Sequence, residues 1–276
     1  MISSSRTRAR LEAASKGADE HRPVAISLVP SAGGVGNTTL AVEIAVRLKN
    51  DKPTRDLATC IVDLDFQSSH VCDHLDIEPR LQIQEILSKP ERLDAQLFDI
   101  FISRHSSGLH VFAAPRSKTD FCDLNLAALD TLFDMISARY ELVLIDLPAA
   151  WFTWTPQIIA ASDAIMVTGV NTIPGLRQTA ETLAAVRNAA RASSQIAVVV
   201  NRCRRRLLGG IARRHHVESV LGREKVFYVG EDPMVLESVN AGTPMALAKS
   251  ARAIGKDIAA IAAFCAGLKS LRAPAI

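Results

Sequence analysis

The run Gly33, Gly34, Val35, Gly36, Asn37, Thr38 and Thr39, entered through Ser31 and Ala32, has the residue types to hold an anion. Its glycines let successive backbone N–H groups turn toward one point without interference from Cβ atoms. An apolar, strand-like segment precedes it and a helical pattern follows. A helix start adds unpaired N–H groups and the positive end of its dipole. Together these make a nest for a di- or triphosphate. Thr38 sits where its hydroxyl would ligate Mg²⁺. A second candidate for that ion is Asp146, which ends the apolar run 142–146. A carboxylate buried at a strand end is costly unless it is paired or bound to metal. Asn201, ending the run 196–201, can offer both a donor and an acceptor.

Such groups need a frame to bring them together. Short apolar, β-branched runs at 24–29, 58–63, 109–114, 141–146, 163–170, 196–201 and 226–229 read as strands. Helical patterns cover 38–49, 124–139, 174–192 and 210–221, with a last one at about 250–268. Strands that are apolar on both faces and separated by helices predict an α/β fold: a doubly wound, mostly parallel, seven- or eight-stranded sheet with helices on both faces. In such sheets ligands bind outside the carboxyl ends of the strands, which is where the Gly-rich run, Asp146 and Asn201 fall. Residues 1–22, rich in Ser, Arg and Ala, read as a mobile tail, and 23–276 as one domain.

Composition agrees and excludes other classes. The chain has 276 residues, 48% hydrophobic and 22% charged, enough apolar material for a large core. The longest apolar stretch, 258–268, is far below the roughly 18–20 residues that span a bilayer. Met1 to Arg10 show no apolar signal region, so a cytoplasmic location is expected. The 5 cysteines have no C-x-x-C spacing, which argues against a disulfide framework or a zinc site. A net charge of +3 names no partner. The histidines at 70, 74, 105 and 110 read as surface or capping residues.

With these residues in view, the chain resembles the ParA/MinD family of P-loop ATPases (SIMIBI type), whose deviant Walker A loop reads Gly-Lys-Gly-Gly-x-Gly-Lys-Thr-Thr. Here Ser31 replaces the first Gly. Ala32 replaces the Lys that reaches a partner's nucleotide across a dimer, and Asn37 replaces the Lys that grips the β- and γ-phosphates. The resemblance implies ATP or ADP with Mg²⁺, held by Gly33, Gly34, Val35, Gly36, Asn37, Thr38 and Thr39. It places Asp63 and Asp146 with Thr38 near the metal, and Asp65 as the residue that orients the attacking water. Asn201 and Arg202 would meet adenine, and 231–244 would close over the base. A charge-assisted hydrogen bond contributes roughly 1.5–3 kcal/mol, so the missing lysines imply weaker binding and slow or absent hydrolysis.

The loop without its phosphate Lys, with the stretches 63–67, 75–80 and 104–116, is similar to the CpaE/TadZ branch of Flp/Tad (type IVc) pilus assembly. That likeness implies a homodimer that marks the inner membrane or a cell pole and recruits pilus assembly and secretion proteins. Many members carry a receiver-like domain before the ATPase domain; here about 22 residues precede the first strand. The resemblance also leaves open a partition-type ATPase cycling on DNA or membrane, and a nucleotide-free structural dimer. The basic cluster Arg204, Arg205, Arg206, Arg213 and Arg214 is the candidate surface for DNA or anionic lipid. Trp151, Phe152 and Trp154 are candidate dimer or partner anchors, with burial against the sheet the alternative. The last helix is expected to pack on the domain.

Overall fold

The computed structural model describes residues 22–88, 92, 94–117, 125–204, 214–222, 224–247 and 253–270. Its strands are β1 (Val24–Pro30), β2 (Thr59–Asp63), β3 (Ser103–Arg104), β4 (His110–Phe112), β5 (Leu142–Asp146), β6 (Ala164–Val170), β7 (Gln195–Cys203) and β8 (Lys225–Gly230). They form one sheet in the order β3-β4-β2-β5-β1-β6-β7-β8. Every described pairing is parallel except β3 with β4. The α/β class, the eight strands and the helices on both faces match the expectation. Of the eight, β3 lies outside the seven runs read as strands, because a Ser-Arg pair carries no apolar signal.

The helices are α1 (Asn37–Asn50), α2 (Ile83–Ser88), α3 (Ala95–Ile100), α4 (Leu126–Ser137), α5 (Thr155–Ala161), α6 (Ile173–Ala189), α7 (Arg214–Leu221), α8 (Met234–Asn240) and α9 (Ala253–Ser270). The short helices α2, α3, α5 and α8 fall outside the predicted helical patterns; pieces of two turns or less hold too few residues to show a period. Two apolar clusters sandwich the sheet. One joins α1 and α9 through Leu40, Ile44, Ile258, Ile261 and Cys265. The other joins α4 to α7 through Leu132, Ile158, Leu183 and Val217. The buried face of α9 thus lies on the domain, as expected. Among the described residues no helix is long and apolar enough to cross a membrane.

The position of β1 decides where a ligand can enter. β2 to β5 lie on one side of it and β6 to β8 on the other, so the chain reverses direction across the sheet there. The crevice opens at the carboxyl end of β1, where α1 begins. Glu43 of α1 ties this helix to the far end of the chain. Its carboxylate is buried and accepts the N–H groups of Met245 and Ala246, each at 2.8 Å. Burial is the larger influence on this group and pushes its pKa up; the two N–H groups work against that. Glu43→Ala leaves both N–H groups without their acceptor. We expect it to lower stability by about 2 kcal/mol in denaturant unfolding; unchanged stability would show that the 245–247 turn is not held this way.

Candidate functional site

From Pro30 the chain crosses residues 31–36 and enters α1. Gly34 and Gly36 take positive φ of 75° and 89°, a region that costs other residues roughly 1–2 kcal/mol. A Cβ on Gly36 would also lie 2.6 Å from Asn201 Nδ2, whereas Cβ atoms on Gly33 and Gly34 would meet open space. Gly36 is the N-cap of α1; no side chain caps it, and the first turn holds no acidic residue. The amino end of the helix therefore presents its N–H groups and dipole without a neutralising partner of its own. They face a cavity of about 560 Å³, lined by residues 32–39, 64–68, 147–150, His70, His74, Phe152 and Arg202. That volume is in the range of small-molecule sites.

The loop's polar side chains converge on Asp146. Thr38 Oγ1 donates to Asp146 Oδ2 at 2.6 Å. Asn37 Nδ2 donates to Asp146 Oδ1 at 2.6 Å and to the Leu28 carbonyl at 3.1 Å. Asn37 is 6% exposed, and its Oδ1 is buried with no partner. Asn37 thus binds the carboxylate beneath the loop through its amide. Asp146 is 2% exposed. Burial first, and the neighbouring Asp63 second, push its pKa well above the usual carboxylate range; the bonds from Thr38 and Asn37 offset this only in part.

Asp63 pairs in register with Asp146 across β2 and β5. Its carboxylate, however, is committed to the loop that follows β2. It accepts Asp65 N at 2.9 Å, Ser69 Oγ at 2.7 Å and Val71 N at 3.4 Å. It anchors the loop and is absent from the cavity wall. Desolvation pushes its pKa up as well. Asp65 does line the cavity, and its Oδ1 accepts Ser68 N at 3.0 Å.

Asn201 and Arg202 arrive from the end of β7. Asn201 Nδ2 donates to the Val35 carbonyl at 2.8 Å, and its Oδ1 accepts Arg202 N at 2.8 Å. The amide is thus engaged with the Gly-rich loop itself. Arg202, at φ 54°, lines the cavity. The 231–244 segment packs against the turn that carries His74, with Gly242 against Asp76, and supplies none of the described lining residues. The aromatic run divides. Trp154 is fully buried and stacks on Phe152 at 5.1 Å, while Trp151 is 41% exposed. In the basic cluster, Arg204 pairs with Glu231 at 2.9 Å. Arg205, Arg206 and Arg213 lie outside the described residues, and Arg214 opens α7.

The sequence reading placed Asp65, in the loop after β2, at the site, but missed the rest of that loop and the turn that carries His74 as wall. His74 was expected at the surface or as a cap; it lines the cavity, with Nε2 3.1 Å from Thr39 Oγ1. The available signal was the His70–His74 pair placed soon after Asp63 and Asp65. Its spacing gave no metal pattern, so the contact needed three dimensions to appear.

Neither protein-family models nor curated protein sequences match the chain. Experimentally determined structures do. A ParA family ATPase from Chlorobium tepidum superimposes with a TM-score of 0.76 at 18% identity, covering 88% of this chain and 99% of that one. The septum site-determining protein MinD of Pyrococcus horikoshii, complexed with Mg-ADP, gives 0.69 at 15% identity over 92% and 100% of the two chains. MinD in the MinC:MinD complex of Aquifex aeolicus gives 0.69 at 16% identity over 92% and 97%. At these identities the likeness is one of architecture: the chain has the fold of ParA- and MinD-type ATPases.

Proposed function

We propose that this protein is a nucleotide-dependent switch, binding ATP or ADP with Mg²⁺ and hydrolysing ATP slowly or not at all. The observation that carries this reading is the uncapped, acid-free start of α1 behind two positive-φ glycines, opening onto a cavity of nucleotide size. The MinD of P. horikoshii, which shares the fold, was determined with Mg-ADP.

In this reading the N–H groups of residues 33–39 hold the phosphates. The orphaned Oδ1 of Asn37 and the raised pKa of Asp146 mark a buried site short of positive charge, which a divalent ion fits. Thr38 and Asp146 would hold Mg²⁺, with Asp63 as the next carboxylate behind them. The ion would neutralise phosphate charge when bound. Asp65 orients water from the cavity wall. Asn201 keeps the loop in shape through Val35, and Arg202 stands beside the nucleotide. Without lysine at 32 or 37, charge that develops in phosphoryl transfer is poorly neutralised, so turnover is slow.

We further propose that nucleotide favours a homodimer, with the exposed Trp151 beside the cavity as one contact. In the finer reading, drawn from the resemblance to the CpaE/TadZ branch, the dimer recruits pilus assembly and secretion proteins at the cytoplasmic face of the inner membrane or at a cell pole. The MinC:MinD complex is a precedent in this fold for a partner protein bound to such an ATPase.

Titration with Mg-ATP, read by calorimetry and by phosphate release, tests the core of this. Binding without appreciable turnover is expected. Turnover stimulated by DNA and lost in Asp65→Ala would replace it with a partition-type cycle. Absence of binding would leave a nucleotide-free structural dimer.

A further inference from the structure

The missing lysines raise the question of what else can answer a polyphosphate's charge, and His74 is placed to do so. It belongs to the short 3₁₀ turn Asp73–Leu75. Its Nδ1 lies 2.8 Å from the carbonyl oxygen of His70. A carbonyl only accepts, so this nitrogen carries a proton. In the neutral ring Nε2 then has only its lone pair, and the 3.1 Å contact with Thr39 Oγ1 must be donated by threonine. Thr39 lines the cavity in the first turn of α1. Its hydroxyl proton is spent on His74, so oxygen lone pairs face the space where backbone N–H groups gather for an anion. The resting arrangement is one donor short.

Several charged groups surround the ring. On its own turn, Asp73 accepts from Arg116 Nη1 at 2.6 Å and contacts the exposed His70 ring at 3.0 Å. Asp76 closes the turn against Gly242. From α1, Glu43 is the next acid beyond Thr39, and it is committed to Met245 and Ala246. From α8, which packs on this turn, the titratable group is Glu237. Burial is the largest influence on His74 and favours the neutral ring; the His70 carbonyl and Asp73 favour the charged one.

We propose that a nucleoside diphosphate or triphosphate entering this cavity brings a proton onto His74, converting Thr39 from an acceptor to a donor toward the phosphate. The proton comes from solvent and joins Nε2. The Nε2–H then donates to Thr39 Oγ1, and the threonine hydroxyl proton rotates to a phosphate oxygen. Only hydrogen bonds change besides that proton transfer. His74 acts through Thr39 and is a positioning residue, and its gained charge replaces part of what positions 32 and 37 lack. The inference rests on the nucleotide-binding reading.

Calorimetry of Mg-ADP binding at pH 6, 7 and 8, in buffers of different ionisation enthalpy, separates the two. The wild-type chain should take up a proton on binding, and its affinity should fall by up to about tenfold per pH unit across that range. In His74→Gln the amide donates to Thr39 without titrating, so both effects should shrink to what the ligand's own phosphates give. Uptake that persists in His74→Gln, or disappears in His70→Gln instead, overturns the proposal. Binding without proton uptake in the wild type also overturns it, yet leaves the nucleotide site standing; absence of Mg-ADP binding overturns both. If His74→Gln fails to fold, imidazole NMR of the wild type decides: the His74 titration must move to higher pH with Mg-ADP, and an unmoved midpoint overturns the proposal.

Discussion

Asn37→Lys is expected to tighten Mg-ADP binding by about 10- to 100-fold. Asn37 is the first residue of α1 and lies at the floor of the cradle. Its amide meets Asp146 and the Leu28 carbonyl but leaves Oδ1 buried without a partner. A lysine there has three donors and no acceptor. Two can meet the groups that Asn37 Nδ2 now meets, and the third can meet a phosphate oxygen. The orphaned acceptor disappears, and an ammonium stands beside a carboxylate that pairs with no cation among the described residues. A charge-assisted bond to phosphate strengthens binding by roughly 1.5–3 kcal/mol, which sets the size of the effect. Calorimetry on the wild type and the variant, with melting curves to confirm folding, gives the answer. Equal affinities would mean that the loop does not face a phosphate.

Asp146→Asn is expected to make the ligand-free protein about 2 kcal/mol more stable at pH 8, a rise of roughly 4–8 °C in melting temperature. Burial and the Asp63 carboxylate hold Asp146 protonated to a higher pH in the folded chain than in the unfolded one. Its contribution is therefore fully favourable at low pH and is lost as pH rises through the folded-state pKa. The variant's amide carries no charge, and its oxygen and nitrogen can serve Asn37 and Thr38 in turn. The gap between variant and wild type should narrow steadily as pH falls from 8 and close only near pH 4 and below, where the carboxylate is protonated in the unfolded chain as well. Mg²⁺ at pH 8 should raise the melting temperature of the wild type and leave the variant unmoved. A variant that melts below the wild type at pH 8 would show that the carboxylate is already well paired in the fold.

Much of this was legible in the residues. β1, β5, β6 and the core of β7 appear as apolar runs because a central parallel strand is buried on both faces. The Gly-rich run between β1 and α1 could be read as an anion cradle because positive φ at Gly34 and Gly36, and the close approach of Asn201 to Gly36, are demands that glycine alone meets cheaply. Asp146 could be read as a site group because a lone carboxylate ending a buried strand needs a reason. These are local facts: each depends on a residue and its near neighbours in the chain.

What the chain order could not reveal is which polar group meets which. Asn37 binding Asp146 spans 109 positions, and Asn201 holding the Val35 carbonyl spans 166. Glu43 looks like an ordinary helix acid until Met245 and Ala246 come to it across 202 and 203 positions. Asp63 serves its own loop, and His74 enters the cavity wall only because the turn after β2 folds onto the start of α1. Apolar burial follows pattern, because the hydrophobic effect is non-directional and needs only a face. Hydrogen bonds need a particular partner at a particular angle, and only the assembled sheet, with β5 and β2 on one side of β1 and its loop and β6 and β7 on the other, supplies them.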